Sequence, residues 1–571
     1  NSLEALLEGG ENGPVVVAGD SESSRLIQLV AGMEEGLLMP PSGARLTLEQ
    51  IGVLRAWIDQ GLAWDMEASA EGGAMALAPR RPEPPAREGL DNPVDQFVWA
   101  YFAEHGIEPP PPVDDRAFAR RASLDVTGLP PATEALAALE DNNPAKRAAF
   151  VDALLADNQG YAENWITLWN DALRNDFKGT GYIDGGRKQI TSWLYTALYD
   201  NLPYDQFVTQ LVNPSSGSEG FVNGIIWRGV VNASQLPPVQ AAQNVSQVFM
   251  GVNIKCASCH DSFVNQWTLK DAYGMAAVFA SEPLELVRCD VPQGEMAEAK
   301  FLWPELGTID TNADVRLRRG QLARLITHED NGRFTRTQVN RLWAILFGRG
   351  IIEPLADLDS APWNRDLLDW LASDFADHGY DVRHTLRQIL NSKTYQLATD
   401  DLFDPDKAYV FRGPLPRRLS AEQFLDGLSS VTGAWHVEPL FGLPAEAEKY
   451  QGKVRAWRIA ADPLTRALGR PNREQVVLRR DYLPTTLQAV ELSNGETFDA
   501  FLTRGANKLL EEAFPTTLDL IPAIYQRALL RPPAEAELAA ARALVPDDPT
   551  PESVADLLWA MALLPDFQYI K

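Results

Sequence analysis

The chain has 571 residues, too many for a single hydrophobic core, and 45% of them are hydrophobic, an ordinary share for globular protein. Its 78 acidic and 51 basic side chains leave a formal charge of −27, which argues against nucleic acid or anionic lipid as a partner and suits docking to basic proteins. No run of about eighteen apolar residues occurs, so no membrane span is expected.

The chain opens at Asn1 without a methionine or a signal segment, which suggests a piece removed or not shown upstream. Residues 1 to about 65 read as a first small unit. Within it Thr47 to Gly61 is predicted to be a helix, with Thr47 and Gln50 as capping box, Gly61 as stop, and Leu48, Ile51, Leu54, Trp57 and Ile58 on one face. Met39 stands just before it in Leu38-Met39-Pro40-Pro41. A thioether held in a stiff loop is how a soluble cytochrome c presents a methionine to iron, although packing is the commoner use of such a residue.

Residues 66–93, rich in Ala, Gly, Pro, Arg and Glu without periodicity, read as a linker. From Val94 onward helical patterns alternate with short loops. Trp165, Trp169, Trp193, Tyr195, Tyr199 and Phe207 fall at helical spacing and are expected in the core rather than along a sugar groove. Gln240 to Met250 reads as a helix leading into Lys255-Cys256-Ala257-Ser258-Cys259-His260-Asp261.

This C-x-x-C-H string carries the most specific chemistry in the chain. Two thiols three residues apart add across the two vinyl groups of a haem, and the adjacent histidine becomes the proximal iron ligand. Cys256 and Cys259 are therefore the candidate thioethers and His260 the candidate ligand. A zinc site built from Cys256, Cys259, Cys289 and a histidine is a second reading; a thioredoxin-like dithiol lacks the strand and βαβ context it needs. Three cysteines form no disulfide framework, and Cys289 is expected to be a buried thiol. For the sixth iron ligand the candidates are His328 and, behind it, Met275 in a helical-looking run.

His105, His328, His378, His384 and His436 show no paired metal-binding spacing. His378 and His384, six apart, are not expected to meet on one helix face, so no second metal centre is indicated. Arg120-Arg121 and Arg417-Arg418 are expected to pair with carboxylates or meet a haem propionate. Amphipathic helices recur to the C-terminus, through Leu367, Leu368, Leu371 and Phe375 and then Leu518, Ile521, Tyr525 and Ala528. Sustained alternation is almost absent, so the fold is expected to be mainly α and multidomain, with few strands.

Several phrases resemble a planctomycete architecture of three fused modules. Gly19 to Ile27, LLMPP and LTLEQIGVLRAWIDQG are similar to the second half of the planctomycete cytochrome c module, in which the methionine of M-P-P is the distal ligand. The module's own C-x-x-C-H is absent here. The resemblance thus implies that Met39 serves a second haem only if an attachment motif precedes Asn1. RRASLDVTGLPP, NLPYDQFVTQL and VFMGVNIKCASCHDSF resemble the cytochrome-like module that usually follows, of formerly unknown function. Many relatives place a second histidine after the motif, where this chain has Ser262. THEDNGRFTRTQVNRLWAILFGRG and the later phrases to Lys571 resemble the third, C-terminal module.

The expected domains are thus 1–65, a partial cytochrome-c-like module; 66–93, a linker; 94–290, a haem-bearing helical domain; and 315–571, a C-terminal helical domain. The expected function is electron transfer by an extracytoplasmic c-type haem protein holding one covalent haem c, with a redox protein partner and a six-coordinate low-spin iron. A haem-dependent oxidoreductase acting on a small molecule is its enzymatic form. The other reading is a secreted interaction or carbohydrate-associated scaffold with a structural haem or a Cys3His zinc site.

Overall fold

The computed structural model describes residues 7, 9, 14–33, 39, 45–60, 62, 75–139, 141–176, 188–215, 217–227, 229–400, 403–404, 407–440, 453–480, 483–512, 514 and 516–571. Helices dominate and the named strands form two short antiparallel pairs, so the fold is mainly α and multidomain. The chain divides into two compact units. One is residues 1–75 with Ser262–Trp267; the other is Ala76–Asp261 with Thr268–Lys571.

In the first unit α1 (Arg25–Val30) and α2 (Leu48–Asp59) close on a small core of Val16, Ile27, Ile58 and Leu62, with Leu54 and Trp57 against it. The predicted capping box is present: the Gln50 amide donates to Thr47 Oγ1 at 3.2 Å and the Thr47 amide to Gln50 Oε1 at 2.8 Å. Gly61 lies outside the described residues. Leu48 is exposed, contrary to expectation, because it is the first helical residue and the buried stripe begins one turn later at Ile51. Asp59 accepts from the Ser21 amide at 2.8 Å and the Ser21 hydroxyl at 2.9 Å, tying the helix end to the loop before α1.

The second unit begins with the later part of the expected linker. Residues 76–86 carry no helix or strand, yet they are tied down. The Gly332 amide donates to Leu77 O at 2.8 Å, and Arg80 reaches Asp366 at 2.6 Å and Asp369 at 2.7 Å. Further along, after several other helices, stand α3 (Asn158–Ala172), α4 (Thr191–Tyr199) and α5 (Tyr204–Val212), whose Trp165, Trp169, Tyr195 and Phe207 are buried. Trp169 meets Phe207 at a ring separation of 4.8 Å. These aromatic residues are core, not a groove.

The site depends on α6 (Pro237–Met250), α7 (Leu269–Ala277) and the hairpin β1 (Glu285–Arg288) and β2 (Val291–Met296). Then follow α8 (Val315–Ile326), α9 (Gly332–Phe347), α10 (Arg365–Asp377) and α11 (Val382–Leu390). Helix α9 is buried almost all round although it contains Arg333, Arg336 and Arg341. Each guanidinium is hydrogen-bonded, as a buried charge must be, although Arg341 Nε has no partner among the described residues. Arg336 pairs with Asp369 at 2.6 Å with both side chains fully enclosed, while Arg333 donates to Met250 O at 3.2 Å and Arg341 to Val248 O. Two arginines of α9 thus hold the last turn of α6.

The C-terminal part adds β3 (Arg417–Arg418), α12 (Ala421–Thr432), α13 (Glu496–Leu510), α14 (Thr517–Leu529), α15 (Pro551–Ala562) and β4 (Tyr569–Ile570), which pairs with β3. In α14 the expected stripe holds at Ile521, Tyr525 and Ala528, but Leu518 is exposed at the helix start. Arg120 and Arg121 also depart from expectation, because their hydrogen bonds go to backbone carbonyls: Phe567 O at 2.7 Å for Arg120, and Leu397 O at 2.9 Å and Lys571 O at 3.0 Å for Arg121. Burial pushes both guanidinium groups down to about 10. Arg417 does meet a carboxylate, binding Asp125 through two bonds of 2.6 and 2.9 Å. The Tyr395 hydroxyl donates to the same carboxylate at 2.6 Å.

Candidate haem-attachment site

Helix α6 starts on Pro237-Pro238, where missing amide donors cost nothing, and ends at Gly251 in the left-handed conformation with φ 60°. A Cβ at Gly251 would lie 2.7 Å from Leu358 Cγ, so both the turn and the close packing require glycine there. Val252 and Ile254 are buried and anchor the chain as it leaves the helix. One tight turn follows, in which the Ser258 amide donates to Ile254 O at 3.0 Å, the Cys259 amide to Cys256 O at 3.0 Å and the His260 amide to Cys256 O at 3.2 Å.

The turn sorts its side chains by direction. Ala257 and Ser258 point inward and are buried, Ser258 Oγ donating to Ile254 O at 2.9 Å, while Cys256 is exposed and Cys259 and His260 are partly so. The spacing that puts both x residues inside therefore turns both thiols out. His260 Nδ1 lies 2.7 Å from Asp261 O, a contact that orients the ring. Asp261 in turn accepts the Leu269 amide at 2.8 Å, joining the turn to the start of α7, where Thr268 and Asp271 form a capping box.

Cys289 is not the buried thiol expected from the sequence. It is exposed, at the first position of a two-residue hairpin turn in which Cys289 and Asp290 have φ of 49° and 64°. The Cys289 amide donates to Cys259 O at 2.9 Å, and the two sulfurs are 3.9 Å apart. Asp290 holds the turn from the other side, accepting from Asn232 Nδ2 at 2.7 Å and the Ala233 amide at 3.0 Å. Burial and the adjacent Cys289 thiol push the Cys259 thiol up. Among the described residues the Cys3His set is not gathered into one metal-sized cluster.

The candidate distal ligands sit in different surroundings. Met275 is fully buried on α7. His328 follows α8, partly exposed, its Nδ1 accepting the Asp330 amide at 3.2 Å. Met39, in the first unit, is half-exposed, with its amide 3.3 Å from Leu29 O; Leu38, Pro40 and Pro41 lie outside the described residues.

Two features escaped the sequence. His378 and His384, expected not to meet, stack with ring centroids 3.7 Å apart, because a helix break at Gly379 and Tyr380 returns the chain on itself. The signal was the Gly379-Tyr380-Asp381 punctuation, which shows that the two residues belong to different helices. The second is a cavity of about 130 Å³ lined by Asp125, Trp165, Asp171, Arg417, Arg479 and Arg480. It is smaller than the roughly 300 Å³ where small-molecule pockets usually begin, and its arginines are committed: Arg417 to Asp125, and Arg480 to Asp171 at 2.7 Å.

Residues 1–43 match Planctomycete cytochrome C, residues 93–283 a protein of unknown function designated DUF1549, and residues 318–545 one designated DUF1553. The chain has the planctomycete three-module architecture. No curated protein and no solved structure matches it. The cytochrome match connects this planctomycete architecture with c-type haem. It covers Met39, whereas the C-x-x-C-H turn lies in the second matched segment.

The turn fits the cofactor. Its Cys256 thiol is exposed and its Cys259 thiol partly so, its imidazole is braced through Nδ1, and its backbone is set by α6, α9 and α7. No helix among the described residues is long and apolar enough to cross a membrane.

Proposed function

We propose that this chain is an extracytoplasmic c-type haem protein that exchanges electrons with a protein partner. The observation that carries the reading is the outward-facing C-x-x-C-H turn. Cys256 and Cys259 would form the thioethers and His260 Nε2 would bind iron; the haem, when bound, supplies one-electron chemistry. Attachment to this motif takes place outside the cytoplasm, which gives the location.

The chain's own residues contribute position and surroundings. Asp261 O holds the His260 ring, which raises its basicity toward iron. The charge of −27 selects a basic partner. His328 is the first side chain to test as sixth ligand, then Met275; Met39 would serve only a haem attached in the N-terminal module.

Covalent haem staining of the denatured band and a pyridine haemochrome count test the reading. One haem per chain is expected, lost in the double variant Cys256→Ala/Cys259→Ala. Persistence of the stain in that variant overturns the site. A ferric absorption spectrum of the high-spin, five-coordinate type would reject electron transfer with a bound sixth ligand and favour small-molecule oxidation.

A further inference from the structure

Among the described residues, one group of three ligand-type side chains converges outside the haem turn: Asp374, His378 and His384, whose ligand atoms lie within 4.8 Å of one another. Asp374 and His378 are one turn apart at the end of α10, and His384 stands in the first turn of α11. The connection is short because Gly379 and Tyr380 both take positive φ, 68° and 57°, and Asp381 caps α11 by accepting the Arg383 amide at 2.9 Å and the His384 amide at 3.2 Å.

The carboxylate presents one oxygen to each ring. His384 Nε2 is 2.9 Å from Asp374 Oδ2 and His378 Nδ1 is 3.3 Å from Oδ1. A tetrahedral zinc ion with bonds of roughly 2.0–2.1 Å separates its ligand atoms by about 3.3 Å, so the set, now within 4.8 Å, closes on a metal by side-chain rotation. The two imidazoles now stack at 3.7 Å with their planes 14° apart, so binding swings one ring out of the stack to bring both nitrogens onto the ion. Access is graded: the side chains of Asp374 and His384 are 12% and 17% exposed, while that of His378 is 49% exposed and gives an ion a way in. The neighbouring cation, Arg81, is engaged by Asp377 and leaves the carboxylate of Asp374 to the histidines.

We propose that Asp374, His378 and His384 form a binding site for a divalent transition-metal ion of the zinc type, with water as the fourth ligand. The ion replaces the hydrogens now shared between carboxylate and imidazoles. On each neutral ring the proton moves to the other nitrogen, and His378 gives up its 2.8 Å contact with Asp374 O. Nitrogen and oxygen donors suit zinc, copper or nickel rather than calcium or magnesium. The bound ion joins α10 to α11.

The test uses the full-length chain, stripped with chelator and dialysed against zinc, with cobalt(II) as a spectroscopic substitute. One ion per chain is expected, with cobalt showing ligand-field bands and no sulfur charge-transfer band. His378→Ala, at an exposed position, should lower affinity by on the order of tenfold or more, and Asp374→Asn likewise. Cys256→Ala/Cys259→Ala should leave zinc binding intact. Absence of tight zinc binding, full binding in His378→Ala, or a charge-transfer band removed by the cysteine changes would each overturn the proposal. If Asp374→Asn does not fold, His378→Ala decides alone.

Discussion

The turn at Cys256–His260 and the cluster at Asp374, His378 and His384 both collect metal-binding side chains, but they are assembled in opposite ways. In the first, five consecutive residues hold the chemistry, and the local hydrogen bonds from Cys259 and His260 back to Cys256 O set the directions of the side chains. In the second, residues ten apart meet only because one helix ends and another begins between them. A ligand set contained in one turn can be read as a string. One spread over two helices is visible only once the turn between them is known.

This contrast predicts that changes in the turn remove a cofactor without harming the fold, while changes in tertiary networks harm the fold first. The largest effect is the complete loss of covalent haem in Cys256→Ala/Cys259→Ala, with the circular dichroism of the wild type retained; haem staining beside the spectrum checks it. Loss of helical signal in that variant would show that the two are not separable.

Next in size is the buried pair of Asp125 and Arg417. Asp125→Ala leaves an uncompensated guanidinium and should cost on the order of 3–5 kcal/mol, read from chemical denaturation of the second unit. A cost near zero would mean that water or Tyr395 takes over the arginine.

A third effect depends on pH. Burial raises the Glu422 carboxyl, but Arg480 and Arg470 outweigh it and bring it down to about 2 from an ordinary 4.5. Its folded value is depressed, so its contribution to stability is complete above about 4.5 and is lost as pH falls toward about 2. Denaturation midpoints measured through this window should fall in the wild type, and Glu422→Gln should flatten that part of the curve. His436 acts at milder acidity. Burial lowers it to about 4 from 6.5, so stability should decline as pH drops between those values, an effect absent in His436→Phe.

The smallest effect belongs to a wholly local feature. Thr47→Ala removes the capping box of α2 and should cost about 1 kcal/mol, seen as faster amide exchange in that helix. No effect would indicate that packing of Ile51 and Ile58 alone sustains it.

Much of this protein was legible in its sequence for a physical reason. Helical periodicity, proline at helix starts, capping boxes at Thr47 and the C-x-x-C-H spacing are short-range relations, decided within a few residues by backbone geometry. They determined the mainly α fold, the helices on either side of the motif and the candidate thioether positions. The tertiary structure decided what depends on residues far apart in the chain. Cys289 came to Cys259 through a hairpin whose turn residues adopt positive φ; Arg121 turned to backbone carbonyls instead of carboxylates; Leu48 and Leu518 fell at helix starts beyond the reach of the core. His378 and His384 met because helix periodicity stops at a helix end, and past that point only the packing of α10 on α11 sets which side chains touch.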